Sequence, residues 1–436
     1  MQGTRRNVVV ALIGALALLA ALGPGTALAT DYTSDPFTVS THTTAFGQAP
    51  VFTPAGQVVH AKNYGGADGQ QVYIANLDGT QERCVTCGKL PGPNGVPAVS
   101  PDGQWILFHS WNGHHITVGS PGFGGLGSEL YVIRPDGSGL TQLTGLDAAH
   151  GSGEGEDDYH AYWSPAVPGQ PQRIVYAHLN WNFITNGGDG KWDVRVADFV
   201  GGDTDSPALA NTTVVRPNNG HYYETQWWAP DGSGFLYTES WGTAMNLELW
   251  FCKLTYNADG SVKGCDSQRL TNNSAWDEQA IFTPDMQNVI FMSTRDHPGQ
   301  FNTEAHLAQD AGLPADADYM LVLPLFEAGF LQPVAQEATD LYELNLATKS
   351  VRRLTYNGDD GWIIPEFAWD PTNSFLMWTE ARFPDGLRTP LPVDPAKQIA
   401  ALANYLQHPE LPPPPQAGGS IETLPLERRT EIGHFG

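Results

Sequence analysis

Positive charge is scarce in this chain. Lys and Arg number 22 against 47 Asp and Glu in 436 residues, a formal net charge of −25. A balance of that sign excludes a general nucleic-acid binder held by phosphate contacts, and docking on an anionic lipid surface. Charged residues are few altogether, 16% of the chain, so the acidic exterior serves mainly solubility. Long apolar runs are also missing, with one exception at the N-terminus. Arg5 and Arg6 precede an apolar stretch from Val8 to Leu22, Gly23-Pro24-Gly25 breaks it, and Ala27-Leu28-Ala29 follows. This is the pattern of an export signal cleaved after Ala29, of the Sec or a weak twin-arginine type, and the stretch is short for a membrane span. The expectation is a secreted or periplasmic chain without membrane insertion. Cysteine is limited to four residues. With no second C-x-x-C and no His after Cys87, zinc and haem attachment by these cysteines are excluded. In an oxidising compartment they read as disulfides. Cys252 and Cys265 flank the turn Asn257-Ala258-Asp259-Gly260, and Cys84 and Cys87 form a local pair entering a Gly/Pro loop.

What the chain has in quantity is glycine (48), proline (33) and aromatic residues (11%). That composition points to an all-β fold of short strands and many turns. One short phrase recurs: an aromatic or Val, then Ser, Thr, Ala or Asp, then Pro, often followed by Asp-Gly. Its copies are Phe52-Thr53-Pro54-Ala55-Gly56, Val99-Ser100-Pro101-Asp102-Gly103, Trp163-Ser164-Pro165, Trp228-Ala229-Pro230-Asp231-Gly232, Phe282-Thr283-Pro284-Asp285 and Trp369-Asp370-Pro371. Proline presets φ for a turn and Asp-Gly closes it, so each phrase is the tip of a hairpin between a first and a second strand. Further along, runs ending in Leu-Thr close the repeats, as in Leu143-Thr144, Leu270-Thr271 and Leu354-Thr355. Four strands per repeat and six phrases predict a six-bladed β-propeller with four-stranded antiparallel blades. The strand-like segment Phe37–Thr44 is placed to complete the last blade; a seventh, C-terminal blade is the alternative.

The phrase resembles the TolB-like, WD-type propeller repeat over roughly residues 46–385. The domain expectation is therefore a signal peptide at 1–29, a propeller at 30–392 and a C-terminal segment at 393–436. An insertion at 299–338 in blade five reads as a helical or lid-like excursion. The C-terminal segment reads as a helix around Ala396–Leu406, a proline tether and a polar tail. The separate α/β domain of TolB and the hydrolase domain of prolyl oligopeptidases have no counterpart here, and no G-x-S-x-G elbow occurs. The resemblance thus implies a free-standing propeller, and the chain is expected to be a monomer.

Topology assigns the candidate site. The starts of the first strands and the loops after the second strands share one face. Nine of the 13 histidines fall there (His60, His109, His114, His115, His150, His160, His178, His221 and His297). Three readings follow. Imidazoles and acids hold a divalent metal such as calcium, manganese or zinc, with His150, His160, His221 and Glu366 as ligands. Alternatively Glu224, Glu278 and Glu366 supply the acid and carboxylate of glycoside chemistry, with His160 or His221 as base and Arg295 positioning substrate. Trp111, Trp181, Tyr223, Trp241 and Arg382 would then bind a glycan. Oligogalacturonate lyases use a similar propeller, though their His-x-His signature is not visible. The third reading is a non-catalytic scaffold binding an envelope protein. The acidic run Glu154–Asp158 reads as a solvated loop.

Overall fold

The structure is a computed structural model. It describes residues 37–62, 70–110, 128–145, 154–182, 191–204, 206–240, 247–297, 338–382 and 427–435. The strands form six four-stranded antiparallel sheets. Their inner strands are Gln48–Phe52, Asn94–Val99, Glu154–Trp163, Tyr223–Trp228, Asp277–Phe282 and Ile363–Trp369. Each inner strand touches the next around the ring, and the first touches the sixth, so the ring closes. The expectation of six blades holds.

The repeat phrase acts as its chemistry suggests. In blade two the Ser100 hydroxyl accepts from the Trp105 N–H at 2.9 Å, beside the two main-chain bonds that tie Ser100 to Trp105 and Gly103. Thr53, Ser164, Thr283 and Asp370 make the equivalent side-chain bond to the start of their own second strand. Gly103 sits at φ 70°, a left-handed conformation that glycine adopts without a Cβ penalty. The tryptophan of the phrase stitches blades together. Trp163 Nε1 donates to the Ala98 carbonyl, Trp228 to Tyr162 and Trp369 to Phe282, each in the preceding blade. The Leu-Thr ending ties the fourth strand to the third. The Thr144, Thr271 and Thr355 hydroxyls accept from the N–H of Leu130, Leu249 and Leu341 on the third strand.

Alternating side chains leave each blade apolar on both faces, and neighbours bury them together. Six core clusters result. One lies at each of the six blade interfaces, for example Ile106 and Phe108 against Val59 and Ile74 between blades one and two. Trp105, Trp192 and Trp378 are among the largest wholly buried side chains.

Both chain ends build the last blade. Its order is Phe37–Thr41, Glu427–Phe435, Leu376–Arg382, Ile363–Trp369 from outside to inside. The N-terminal strand was expected there. The segment expected as a polar tail is instead the third strand, and together the two ends complete the ring. Glu154–Asp158 is likewise no loop; it begins the inner strand of blade three and pairs with the stretch from His178 to Asn182. The Cys84–Cys87 and Cys252–Cys265 disulfides are formed. The expected helical insertion at 299–338 lies, apart from its last residue, outside the described residues, as does the helix at Ala396–Leu406. Among the described residues the one helical element is a 3-10 turn, Asn357–Asp360. No helix among them is long and apolar enough to cross a membrane.

Candidate acid–base site at the channel

All six inner strands carry a register irregularity in the few residues before the phrase. The residue four positions before the Ser, Thr, Ala or Asp of each phrase is Ala49, Val96, His160, Thr225, Gln279 or Glu366. Four of these hold positive φ without being glycine: Ala49 at 49°, Val96 at 44°, His160 at 46° and Gln279 at 47°. A bulge re-aims side chains at a strand end, and held strain of this kind concentrates at working sites. The ring is lopsided. Blades one and two contribute Ala49 and Val96, while blades three to six contribute His160, Thr225, Gln279 and Glu366, with Glu224 and Glu278 one position earlier.

These polar groups interlock across blades. His160 Nδ1 lies 2.8 Å from Glu224 Oε1. The Thr225 hydroxyl donates to the His160 carbonyl. Gln226 and Gln279 each donate to Glu224 Oε1 at 3.1 Å, and the Tyr222 hydroxyl donates to Oε2 at 2.5 Å. Glu278 accepts from Trp276 Nε1 at 2.8 Å and hydrogen-bonds to Glu224. Glu366 takes the Ala49 N–H of the adjoining blade. Glu224 and Glu278 are buried; Glu366 is half-buried.

Electrostatics separate the two carboxyls most clearly. Burial pushes Glu366 up to about 7, with the nearby Glu224 charge adding and His160 opposing. Glu224 is also buried, yet the His160 imidazolium and the hydrogen bonds it accepts hold it below the ordinary range. Burial pulls His160 down, but Glu224 and, at longer range, Glu366 overcome it, so the imidazole is raised. His109, 6.1 Å from the His160 ring and buried, falls to about 3. The site therefore combines an acid with its midpoint raised to about 7, a carboxylate held below its ordinary range and an imidazole held above its own.

His160, Glu224, Glu278 and Glu366, expected to converge, come from blades three, four, five and six and do so. Other expected members point elsewhere. His221 Nδ1 sits 2.9 Å from Glu239, which also binds Arg216 and Asn219. Arg295 makes a two-pronged pair with Asp277, at 2.9 and 2.8 Å, beneath Phe291 and Tyr342. Tyr223 is wholly buried in blade four beside Arg216, so it offers no stacking face. Arg382 pairs with Glu427 over Trp362. Trp111, Trp241 and His150 lie outside the described residues, as does the side chain of Trp181.

Of the four expected metal ligands, His150 lies outside the described residues. His160, His221 and Glu366 do not bring their ligand atoms together, because both imidazoles turn Nδ1 to separate carboxylates. Among the described residues, one group of three gathers its ligand atoms within 4.8 Å: His297, Asp340 and Asp359. Arg353 already supplies a cation there, with Nη2 2.6 Å from both Asp340 and Asp359. Several described residues of this rim are paired in the same way, His60 to Glu82 and His178 to Asp158 among others. The His297, Asp340 and Asp359 group stands as a candidate metal site among the described residues, with Arg353 bonded to two of its three members.

No family model matches the chain, and no curated protein matches it. Solved structures do. TolB from Acinetobacter baumannii aligns at 14% identity and TM-score 0.42, covering 77% of this chain and 62% of that one. A TolB from Agrobacterium tumefaciens aligns at 14% and 0.38, covering 73% and 87%. An oligogalacturonate lyase in complex with manganese aligns at 11% and 0.40, covering 91% of each chain. The fold is a six-bladed propeller, and its solved neighbours are TolB-like propellers. The chain spans less than two thirds of the length of the Acinetobacter protein.

Proposed function

We propose that the channel cluster is the acid–base site of an exported carbohydrate-active enzyme, a lyase or hydrolase. The observation that carries this reading is the opposed pair of carboxyls: Glu366 raised to about 7 and Glu224 lowered, both against His160. Two titratable groups pushed apart by their surroundings are the usual basis for assigning acid and base. In this reading Glu366 donates the proton to a leaving oxygen. Glu224, fixed by several donors, keeps His160 charged and oriented toward substrate hydroxyls. Glu278 accepts hydrogen bonds at the rim of the same cup. Two disulfides support an oxidising compartment outside the cytoplasm.

The test is turnover by the protein cut after Ala29 on a panel of neutral and acidic glycans. Glu366→Gln is expected to lower kcat by roughly 10²–10⁴-fold and to remove the limb of the pH–rate profile near 7. Unchanged turnover in both Glu366→Gln and Glu224→Gln contradicts the assignment. A second reading, a non-catalytic scaffold, is favoured by the described rim residues His60, His178, His221, His297, Arg216 and Arg295, each of which faces an acid of the protein itself. A specific envelope partner captured by the wild type, with no turnover on the panel, would establish it.

A further inference from the structure

Moving inward from the polar ring, the residues two positions before each phrase anchor are Val51, Ala98, Tyr162, Trp227, Ile281 and Ala368. The polar layer therefore gives way to an apolar one. Trp227 stands out within it. Its side chain packs against three core clusters at once: that between blades one and two, that between three and four, and that between five and six. A side chain rooted in blade four reaches clusters on all sides only by lying across the axis. Its ring meets Tyr162 of blade three at 5.2 Å, tilted by 50°. The neighbouring residue, Gln226, holds Glu224. Trp227 is half-buried rather than sealed.

We propose that Trp227 is the floor of the channel site and its specificity-determining residue. Among the described residues the channel is then closed at this level, a cup and not a tunnel. An indole face below a ring of carboxyl, imidazole and amide groups suits a sugar ring standing with its apolar face on the tryptophan and its hydroxyls toward Glu224, Glu366 and His160. The apolar wall of Ala49 and Val96 leaves the polar contacts on one side. A closed floor admits the terminal ring of an oligosaccharide end-on and rejects a polymer threaded through. The ligand chemistry rests on the acid–base reading above; the position of Trp227 does not.

The experiment uses the full exported chain labelled with 5-fluorotryptophan and read by fluorine NMR. Trp227→Phe identifies its resonance among the 13 tryptophans. Without ligand, that resonance is expected to move with pH, with a midpoint near 7 that vanishes in Glu366→Gln. A resonance insensitive to Glu366 overturns the placement, whatever the protein binds. With short oligosaccharides of the panel, the same resonance is expected to shift, and Trp227→Phe to raise KM roughly tenfold with kcat little changed. Products are expected to be released from chain ends only. Turnover with an unmoved Trp227 resonance, or cleavage inside a long polymer, overturns the floor while leaving the acid–base reading intact. Absence of binding and turnover across the panel overturns the stacking role together with that reading, and the pH response then still decides where Trp227 lies.

Discussion

Glu224 is the residue on which the channel electrostatics turn. It is buried, yet Tyr222, Gln226, Gln279 and Glu278 all bond to it and His160 lies 2.8 Å away. A carboxylate with that many donors keeps its charge because each stabilises the ionised form. His160 then depends on Glu224, since burial alone would drive it neutral. Glu224→Gln is therefore expected to drop the His160 pKa below the ordinary histidine value of about 6.5, followed by NMR of the ring protons. A His160 midpoint that stays raised in that variant would show that Glu224 is not its counter-charge. The sequence placed His160, Glu224, Glu278 and Glu366 on one face because strand direction alone decides that. It did not reveal which acid each base would meet. Arg295 and His221 were read as free for substrate, and both are held by acids on adjacent strands or loops, Asp277 and Glu239. Nothing in the order of residues marks those pairings before the blade is folded.

At the scale of the element, the hairpin phrase carries the fold. Its Ser or Thr hydroxyl locks the turn by accepting the first N–H of the second strand, as Ser100 does for Trp105. Ser100→Ala leaves that buried N–H with its main-chain geometry but without the hydroxyl. A loss of about 1 kcal/mol is expected, measured by urea unfolding of the wild type and variant. Ala229 is the natural control, because blade four lacks the hydroxyl at that place. The same substitution at Ser164 should cost a similar amount, and no change at either site would show that the hydroxyl of the phrase does not stabilise the fold. The phrase was legible because proline and Asp-Gly impose turn geometry locally. The bulge before it was not, since a bulge is set by register against the partner strand, and positive φ at Val96 or His160 has no local signature.

For the whole molecule, closure joins the two ends. Phe37–Thr41 pairs from Phe37↔Phe435 to Thr41↔Glu431, and the Phe37 ring lies 4.7 Å from Phe435 and 6.4 Å from Trp378. Removing this strand bares the edge of Glu427–Phe435, a row of unpaired main-chain groups ready to pair with another chain. A chain lacking residues 37–41 is expected to melt earlier and to associate, seen by light scattering; an unchanged monodisperse protein would contradict closure through these strands. The N-terminal half of that closure could be read from the β-rich Phe37–Thr44. The C-terminal half could not. Glu427-Arg428-Arg429 follows a proline run and looks like a solvated tail, yet Arg429 pairs with the buried Glu380 and Glu431.

Enclosure by four blades is what should set Glu366 apart from an ordinary glutamate, and its titration is the most direct test. The sign follows from the raised value: the folded protein binds this proton more tightly than the unfolded chain does. Stability from this group is complete below the unfolded value, near 4.5, and is lost as pH rises toward about 7. Carbon-13 NMR of the side-chain carboxyls, with Glu366 identified by its disappearance in Glu366→Gln, reads the midpoint itself. A midpoint of about 7 is the expected result. A midpoint near 4.5 would mean that Glu366 stands in water, and that the blades do not gather one coupled acid–base group at the channel.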